Sequence, residues 1–224
     1  MYKERLNTII ELSFNCLYEK INGGLIIIEN EASLQLQISS IMKTFGEQFI
    51  FRKDELFSIE LEKPVLLSNG TFSKSNSSKA RIDIFISIEN IKTNEKTSCS
   101  IELKYFKKSN QREPNNRYDV FKDIQNLENY GEFSNFGYLI VATDHEHYIS
   151  HNQYLDDTAD FDSRNNSKYK SGTQLEYKTT IPYGNPIIFE IVYGFFCQTP
   201  VKGISFLLLE VNSTKSYNKS QEPI

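Results

Sequence analysis

The stretch Lys79-Ala80-Arg81-Ile82-Asp83-Ile84-Phe85-Ile86-Ser87-Ile88-Glu89 decides how the chain is read. Every even position from 80 to 88 is apolar, and the odd positions carry Arg81, Asp83, Phe85, Ser87 and Glu89. Side chains alternate across a strand, so a period of two predicts a strand with one face in a core. A polar turn at Lys92-Thr93-Asn94-Glu95-Lys96 follows. Beyond it, Cys99, Ile101, Leu103 and Tyr105 alternate with Ser100, Glu102, Lys104 and Phe106. The short turn predicts an antiparallel hairpin.

Downstream, a charged loop at 107–116 precedes a helix from about Tyr118 to Tyr130, with Val120, Ile124 and Leu127 as its stripe and Gly131 as its end. Phe136-Gly137-Tyr138-Leu139-Ile140-Val141-Ala142-Thr143 is near-continuously apolar, which predicts a strand covered on both faces. Strand, helix, strand in that order implies a parallel pair joined by a crossover. Residues 144–185 are polar and weakly periodic and read as a long loop or insertion. Two strands, Ile187 to Tyr193 and Ile204 to Val211, come before a polar tail over 212–224 that is expected to fray.

Upstream, Leu6, Ile9, Ile10, Phe14, Leu17 and Ile21 recur at helical spacing over 3–22 and stop at Gly23-Gly24. A second helix carries Leu34, Ile38, Ile41 and Phe45, with Asn30 as N-cap and Gly46 as stop. Short strands are expected at 48–53 and 56–62, then a polar loop from Leu67 to Lys79. The whole, 1–224, reads as a single α/β domain with a mixed central β-sheet flanked by α-helices.

Composition narrows the function classes. The 224 residues include 39% hydrophobic and 13% aromatic side chains, enough for a core, which excludes wholesale disorder. With 25 basic and 29 acidic residues the net charge is −4, so the chain is not a globally basic nucleic-acid coat, although a local basic strip is compatible. No apolar run approaches the ~18 residues of a membrane span, and the N-terminus does not open like a secretory signal. Cys16, Cys99 and Cys197 are isolated, which gives neither a zinc pattern nor a disulfide framework. A cytoplasmic setting with no membrane partner is expected.

The hairpin also carries chemistry. Glu102 and Lys104 are two residues apart and share a face, and Asp83 lies on the strand parity opposite the isoleucine row. If the registers match, all three meet on one side of the sheet. Two facing carboxylates repel, and a hard divalent cation relieves the repulsion. Mg²⁺ takes one or two carboxylates plus waters and phosphate oxygens, and a nearby ammonium can orient a water or stabilise developing charge. Acid, then acid-x-Lys, is thus a minimal device for metal-assisted phosphodiester hydrolysis. The same residue types also occur as ordinary surface charge on a solvent face.

Asp83 near the end of an apolar strand, then Glu102-Leu103-Lys104 on the next, then a helix, resembles the PD-(D/E)xK nuclease superfamily, with Ile82 where the pattern has Pro. The resemblance implies a restriction-endonuclease-like fold and a Mg²⁺-dependent (or Mn²⁺-dependent) deoxyribonuclease of bacterial defence type, possible as a homodimer. It implies Asp83 and Glu102 as metal ligands, Lys104 as the group acting on the nucleophilic water, and Glu31, on the Leu34/Ile38 face, as a further acid from an early helix. A non-enzymatic alternative keeps the fold as an idle module that binds nucleic acid or a protein.

Two weaker signals remain. Lys107, Lys108, Arg112, Arg117 and Lys122 form a local basic excess next to the proposed site and are candidates for DNA phosphate contacts. Lys122 and Gln125 are one helical turn apart and are expected near the site. Asp144-His145-Glu146-His147 with His151 has metal-ligating residue types, but it sits in a polar loop without the fixed geometry of a zinc site.

Overall fold

The hairpin is the centre of a five-stranded sheet in a computed structural model that describes residues 1–65, 81–132, 134–150, 153–198 and 200–212. Its strands are β1 (Glu55–Pro64), β2 (Arg81–Asn90), β3 (Glu95–Phe106), β4 (Phe136–Thr143) and β5 (Ser205–Asn212), side by side in that order. β1–β2, β2–β3 and β4–β5 pair antiparallel, and β3–β4 pair parallel. The helix between β3 and β4, α3 (Asn115–Asn129), is the crossover that parallel pairing requires. The architecture is mixed α/β.

Two helices precede the sheet and cover one face. α1 (Tyr2–Asn22) buries Leu6, Ile9, Ile10, Phe14, Leu17 and Ile21 against Ile84, Ile86, Ile88, Ile101, Leu103, Tyr138 and Ile140. A fully buried aliphatic side chain contributes about 2 kcal/mol, so this stripe is a main source of α1's hold on the sheet. α2 (Glu31–Gln48) starts at a reciprocal cap: Ser33 N–H donates to Asn30 Oδ1 at 2.8 Å, and Asn30 N–H donates to Ser33 Oγ at 3.0 Å. Such a cap is worth about 1 kcal/mol, and it places Glu31 at the first helical position. α2 runs past Gly46, which is not a stop. A Cβ there would lie 2.2 Å from the Phe57 ring, so glycine lets β1 approach the helix. The expected strand at 48–53 is absent: Gln48 ends α2, the N–H of Phe49 caps its carbonyls, and a turn leads into β1.

The other face is covered by α3 and residues 144–195. Val120, Phe121, Ile124 and Leu127 pack with Phe85, Leu139, Val141, Leu207, Leu209 and Val211. Residues 144–185 hold little regular structure, yet they are not a solvated loop. Tyr148, Tyr154, Phe161, Leu175 and Tyr177 are buried in this second core, with Ile187, Phe189, Tyr193 and Phe195 from the following segment. Phe121 is surrounded by the rings of Phe161, Tyr169, Phe189 and Phe195, with centroids 5.1–5.6 Å away. The expected strand from Ile187 to Tyr193 is instead two short pieces, Ile187–Ile188 against Gln174–Leu175 and Tyr193–Gly194 against Lys168–Tyr169.

A buried acid, a buried arginine and a buried asparagine fasten this segment to α3. Glu128 accepts from the N–H groups of Glu190 and Ile191 and from Tyr193 Oη. Arg117 donates to the carbonyls of Thr158 and Phe161, and Tyr148 accepts from Asn116. On the opposite side of the molecule, Arg5 grips Glu55 with two bonds of 2.7 and 2.8 Å. The three cysteines are free thiols. No helix among the described residues is long and apolar enough to cross a membrane. The expected polar loop at 67–79 and the tail beyond Asn212 lie outside the described residues; Asn212 itself ends β5.

Candidate active site

The strand ladders break at Asp83. Between β2 and β3 the pairing runs from Asn90↔Glu95 to Ile84↔Ile101 and ends there. Between β1 and β2 the register passes over Glu62, the residue that would face Asp83, and Glu62 has a left-handed backbone (φ 52°). The alternation breaks at the same point. Ile84, Ile86 and Ile88 pack toward α1 and α2, whereas Ile82 joins Phe85 in the core under α3. Local irregularity of this kind re-aims side chains and is frequent beside functional sites.

Past Ile101, β3 therefore presents backbone N–H groups with no strand partner on the β2 side, and the Asp83 carboxylate takes one of them. Leu103 N–H donates to Asp83 Oδ2 at 2.7 Å. The Tyr105 N–H lies on the Glu31 side and favours the charged form of that carboxylate. Asp83 is thus anchored at this strand edge, and its charge acts on Glu31 of α2. The Asp83 carbonyl accepts from Gln35 Nε2 of α2 at 2.7 Å, and the same amide reaches Glu62 Oε1 at 3.0 Å. The gap between the strands is thus lined with polar groups from β2, β3 and α2.

Glu102 and Lys104 lie on the α3 side of β3. Glu102 is fully buried, and Tyr130 Oη donates to its Oε1 at 3.1 Å. Burial, the charge of Glu102 and that of Asp123 push the Tyr130 phenol far above its ordinary pKa, so it stays a donor. Lys104 Nζ lies 2.7 Å from Asp123 Oδ2 and 3.1 Å from the Leu103 carbonyl. Burial opposes its charge, but Asp123, Glu31, Asp83 and Glu102, in that order, more than offset this and raise its pKa. Lys104 is the common point of these residues: the charges of Asp123, Glu31, Asp83 and Glu102 all act on it. Burial, helped by Asp83 and Asp123, raises the Glu31 pKa against the opposing pull of Lys104 and Tyr105 N–H.

Asp123 is the acid that reading the sequence misses. It is 3% exposed and belongs to the inner side of α3, between Val120 and Leu127. An acid within the phase of an apolar helical stripe is the signal that points to it.

Among the described residues, no group of three or more His, Cys, Asp or Glu is arranged to enclose an ion. Mg²⁺ does not require one, since it is held by one or two carboxylates with water and phosphate oxygens completing its shell. The hard oxygens of Asp83 and Glu102, with Glu31 nearby, fit that chemistry.

The basic strip is split by burial. Lys108 and Arg112 are exposed; Lys108 donates its N–H to Asp144 at 2.6 Å, and Arg112 lies 3.8 Å from Asp119. Lys107 is half-buried near the Tyr105 ring. Arg117 does not belong with them. It is 1% exposed, its guanidinium is bonded to Glu113, Thr158 and Phe161, and its face lies 3.6 Å from the Tyr154 ring centre. A phosphate cannot reach it. Lys122 is half-buried and donates to Gln125 Oε1 at 2.8 Å; burial lowers its pKa. His147 Nε2 is 3.0 Å from Glu113 Oε2 and packs on Tyr148 and Tyr154, while His145 stacks on His147. These histidines serve the second core, and His151 lies outside the described residues.

Comparison with protein-family models, with curated proteins and with solved structures gives no match. The functional reading rests on the side chains themselves.

Proposed function

We propose that this protein is a Mg²⁺-dependent deoxyribonuclease of the PD-(D/E)xK, restriction-endonuclease-like type, hydrolysing phosphodiester bonds in DNA. The observation that carries the reading is Asp83, Glu102 and Lys104 gathered at a break in the central sheet, with Glu31 delivered to the same place by the capped start of α2. As such an enzyme it would act in a bacterial restriction-type defence system in the cytoplasm, as a monomer or a homodimer.

Asp83 and Glu102 would hold the ion, Asp83 with one oxygen fixed by Leu103 N–H and Glu102 braced by Tyr130. When bound, Mg²⁺ supplies Lewis acidity toward the phosphate. Lys104, an ammonium at neutral pH, is a hydrogen-bond donor and not a base. Its role is to orient the attacking water and to stabilise the charge that grows on the phosphorus oxygens. Lys108 and Arg112 are exposed, follow β3 in the chain, and are suited to backbone phosphates.

One observation favours the non-enzymatic reading, a module that binds nucleic acid or protein: Lys104 is already ion-paired to Asp123. Thermal melting with Ca²⁺ or Mg²⁺ separates the two. A working site occupied at 100 times its Kd gains about 2.7 kcal/mol, or roughly 5–10 °C in a chain of this size. The enzyme reading expects that gain in the wild type and its loss in Asp83→Asn. An unchanged melting temperature with both ions would favour the idle module.

A further inference from the structure

We infer that Asp123 is a positioning residue that sets the Lys104 ammonium in the site, an inference that rests on the nuclease reading above. The ammonium sits between an ion-pair partner, Asp123 Oδ2 at 2.7 Å, and a hydrogen-bond acceptor, the Leu103 carbonyl at 3.1 Å. Leu103 is the residue whose N–H anchors Asp83, so one peptide segment ties the lysine to the metal-side acid. Asp123 is buried, and α3 is fastened on both sides of it. Six residues before it, Arg117 bonds Thr158 and Phe161; five residues after it, Glu128 bonds Glu190, Ile191 and Tyr193. The 144–195 segment thus acts as the brace that holds Asp123 over β3. Displacing a reacting group by about 1 Å can cost on the order of 100-fold in rate, so such bracing has a catalytic consequence.

The test uses Asp123→Asn, which keeps the shape and removes the charge, and Asp123→Glu, which keeps the charge. In DNA cleavage with Mg²⁺, the Asn variant should lose about 100-fold in kcat with KM within about threefold of wild type, and the Glu variant should recover about tenfold of that loss. Ca²⁺ binding by calorimetry should stay within about threefold in both, because the carboxylates that hold the ion are untouched. Independently of activity, NMR of ¹⁵N-lysine protein should show a slowly exchanging Lys104 ammonium resonance in the wild type, absent from Lys104→Arg. That resonance should disappear in Asp123→Asn. If Ca²⁺ binding falls in Asp123→Asn as it does in Asp83→Asn, Asp123 is a ligand and the inference is wrong. A wild type without the resonance, or an Asn variant with wild-type kcat, also overturns it. A wild type that shows the resonance but cuts no DNA would sink the nuclease reading while leaving the Asp123–Lys104 placement intact.

Discussion

Replacing Arg117 by alanine should destabilise the fold by about 4 kcal/mol and leave DNA affinity per folded molecule unchanged. Nη1 donates to the carbonyls of Thr158 and Phe161 at 2.9 and 3.0 Å, Nη2 donates to Thr158 Oγ1 at 2.9 Å, and Nε bonds Glu113. Hydrogen bonds to a charged group are worth about 1.5–3 kcal/mol each, but much of that is offset by taking the guanidinium out of water. Removing one partner of a buried pair typically costs about 3–5 kcal/mol, because the remaining acceptors are left without donors. The stack on Tyr154 adds to the loss. Arg117→Lys keeps the charge but not the fork, and should lose about half as much. Urea unfolding with an unchanged m-value is the assay, and about 4 kcal/mol corresponds to a fall of roughly 8–16 °C in Tm. Salt-dependent DNA binding supplies the contrast: Lys108→Ala should reduce the slope of log K against log salt by about 1, and Arg117→Lys should not. A loss below about 1 kcal/mol together with weakened DNA binding would refute the buried-staple account.

Lys104→Ala should lower cleavage by about 100-fold or more while Ca²⁺ binding persists, since the lysine acts on the water and the transition-state charge; a wild-type rate would reduce Lys104 to a structural ion pair with Asp123. The Arg5 hydrogen bonds hold the Glu55 carboxyl down at about 2, against its ordinary 4.5. The folded pKa is the lower one, so this pair's contribution is complete above about pH 4.5, is lost as the pH falls toward 2, and is missing in Glu55→Gln; denaturant titrations across that window should show a shallower acid slope in the variant. Gly46→Ala places a Cβ 2.2 Å from the Phe57 ring, and the overpacking, about 1–3 kcal/mol, should exceed the ~1 kcal/mol helix-propensity gain; a stabilised variant in urea would show that the ring yields instead.

What was legible in the sequence follows from periodicity. The period-two row of Ile82 to Ile88 and the apolar run from Phe136 to Thr143 both describe strands, the second buried at every position, and Asn30 marks the start of α2 by its cap chemistry. The 144–195 segment was opaque because its core residues, Tyr148, Tyr154, Phe161, Leu175 and Tyr177, follow no fixed interval. They are placed by packing onto α3, a long-range effect that local pattern does not encode. At the site, strand parity already placed Asp83 apart from the isoleucine row and Glu102 with Lys104. The break that lets Asp83 take the Leu103 N–H beside α2 depends on the meeting of three elements. Arg117 is hidden in the sequence for a related reason. Charge looks like surface until the helix phase is fixed, and Arg117, Val120, Phe121, Ile124 and Glu128 then fall on one buried stripe.

The most direct test is a time course of supercoiled plasmid with purified protein and Mg²⁺, run beside Asp83→Asn, Glu102→Gln and an EDTA control. The account predicts that the wild type converts the plasmid to linear or fragmented DNA, and that all three controls leave it supercoiled. Plasmid untouched by the wild type across Mg²⁺ and Mn²⁺, or cut equally well by Asp83→Asn, would contradict it.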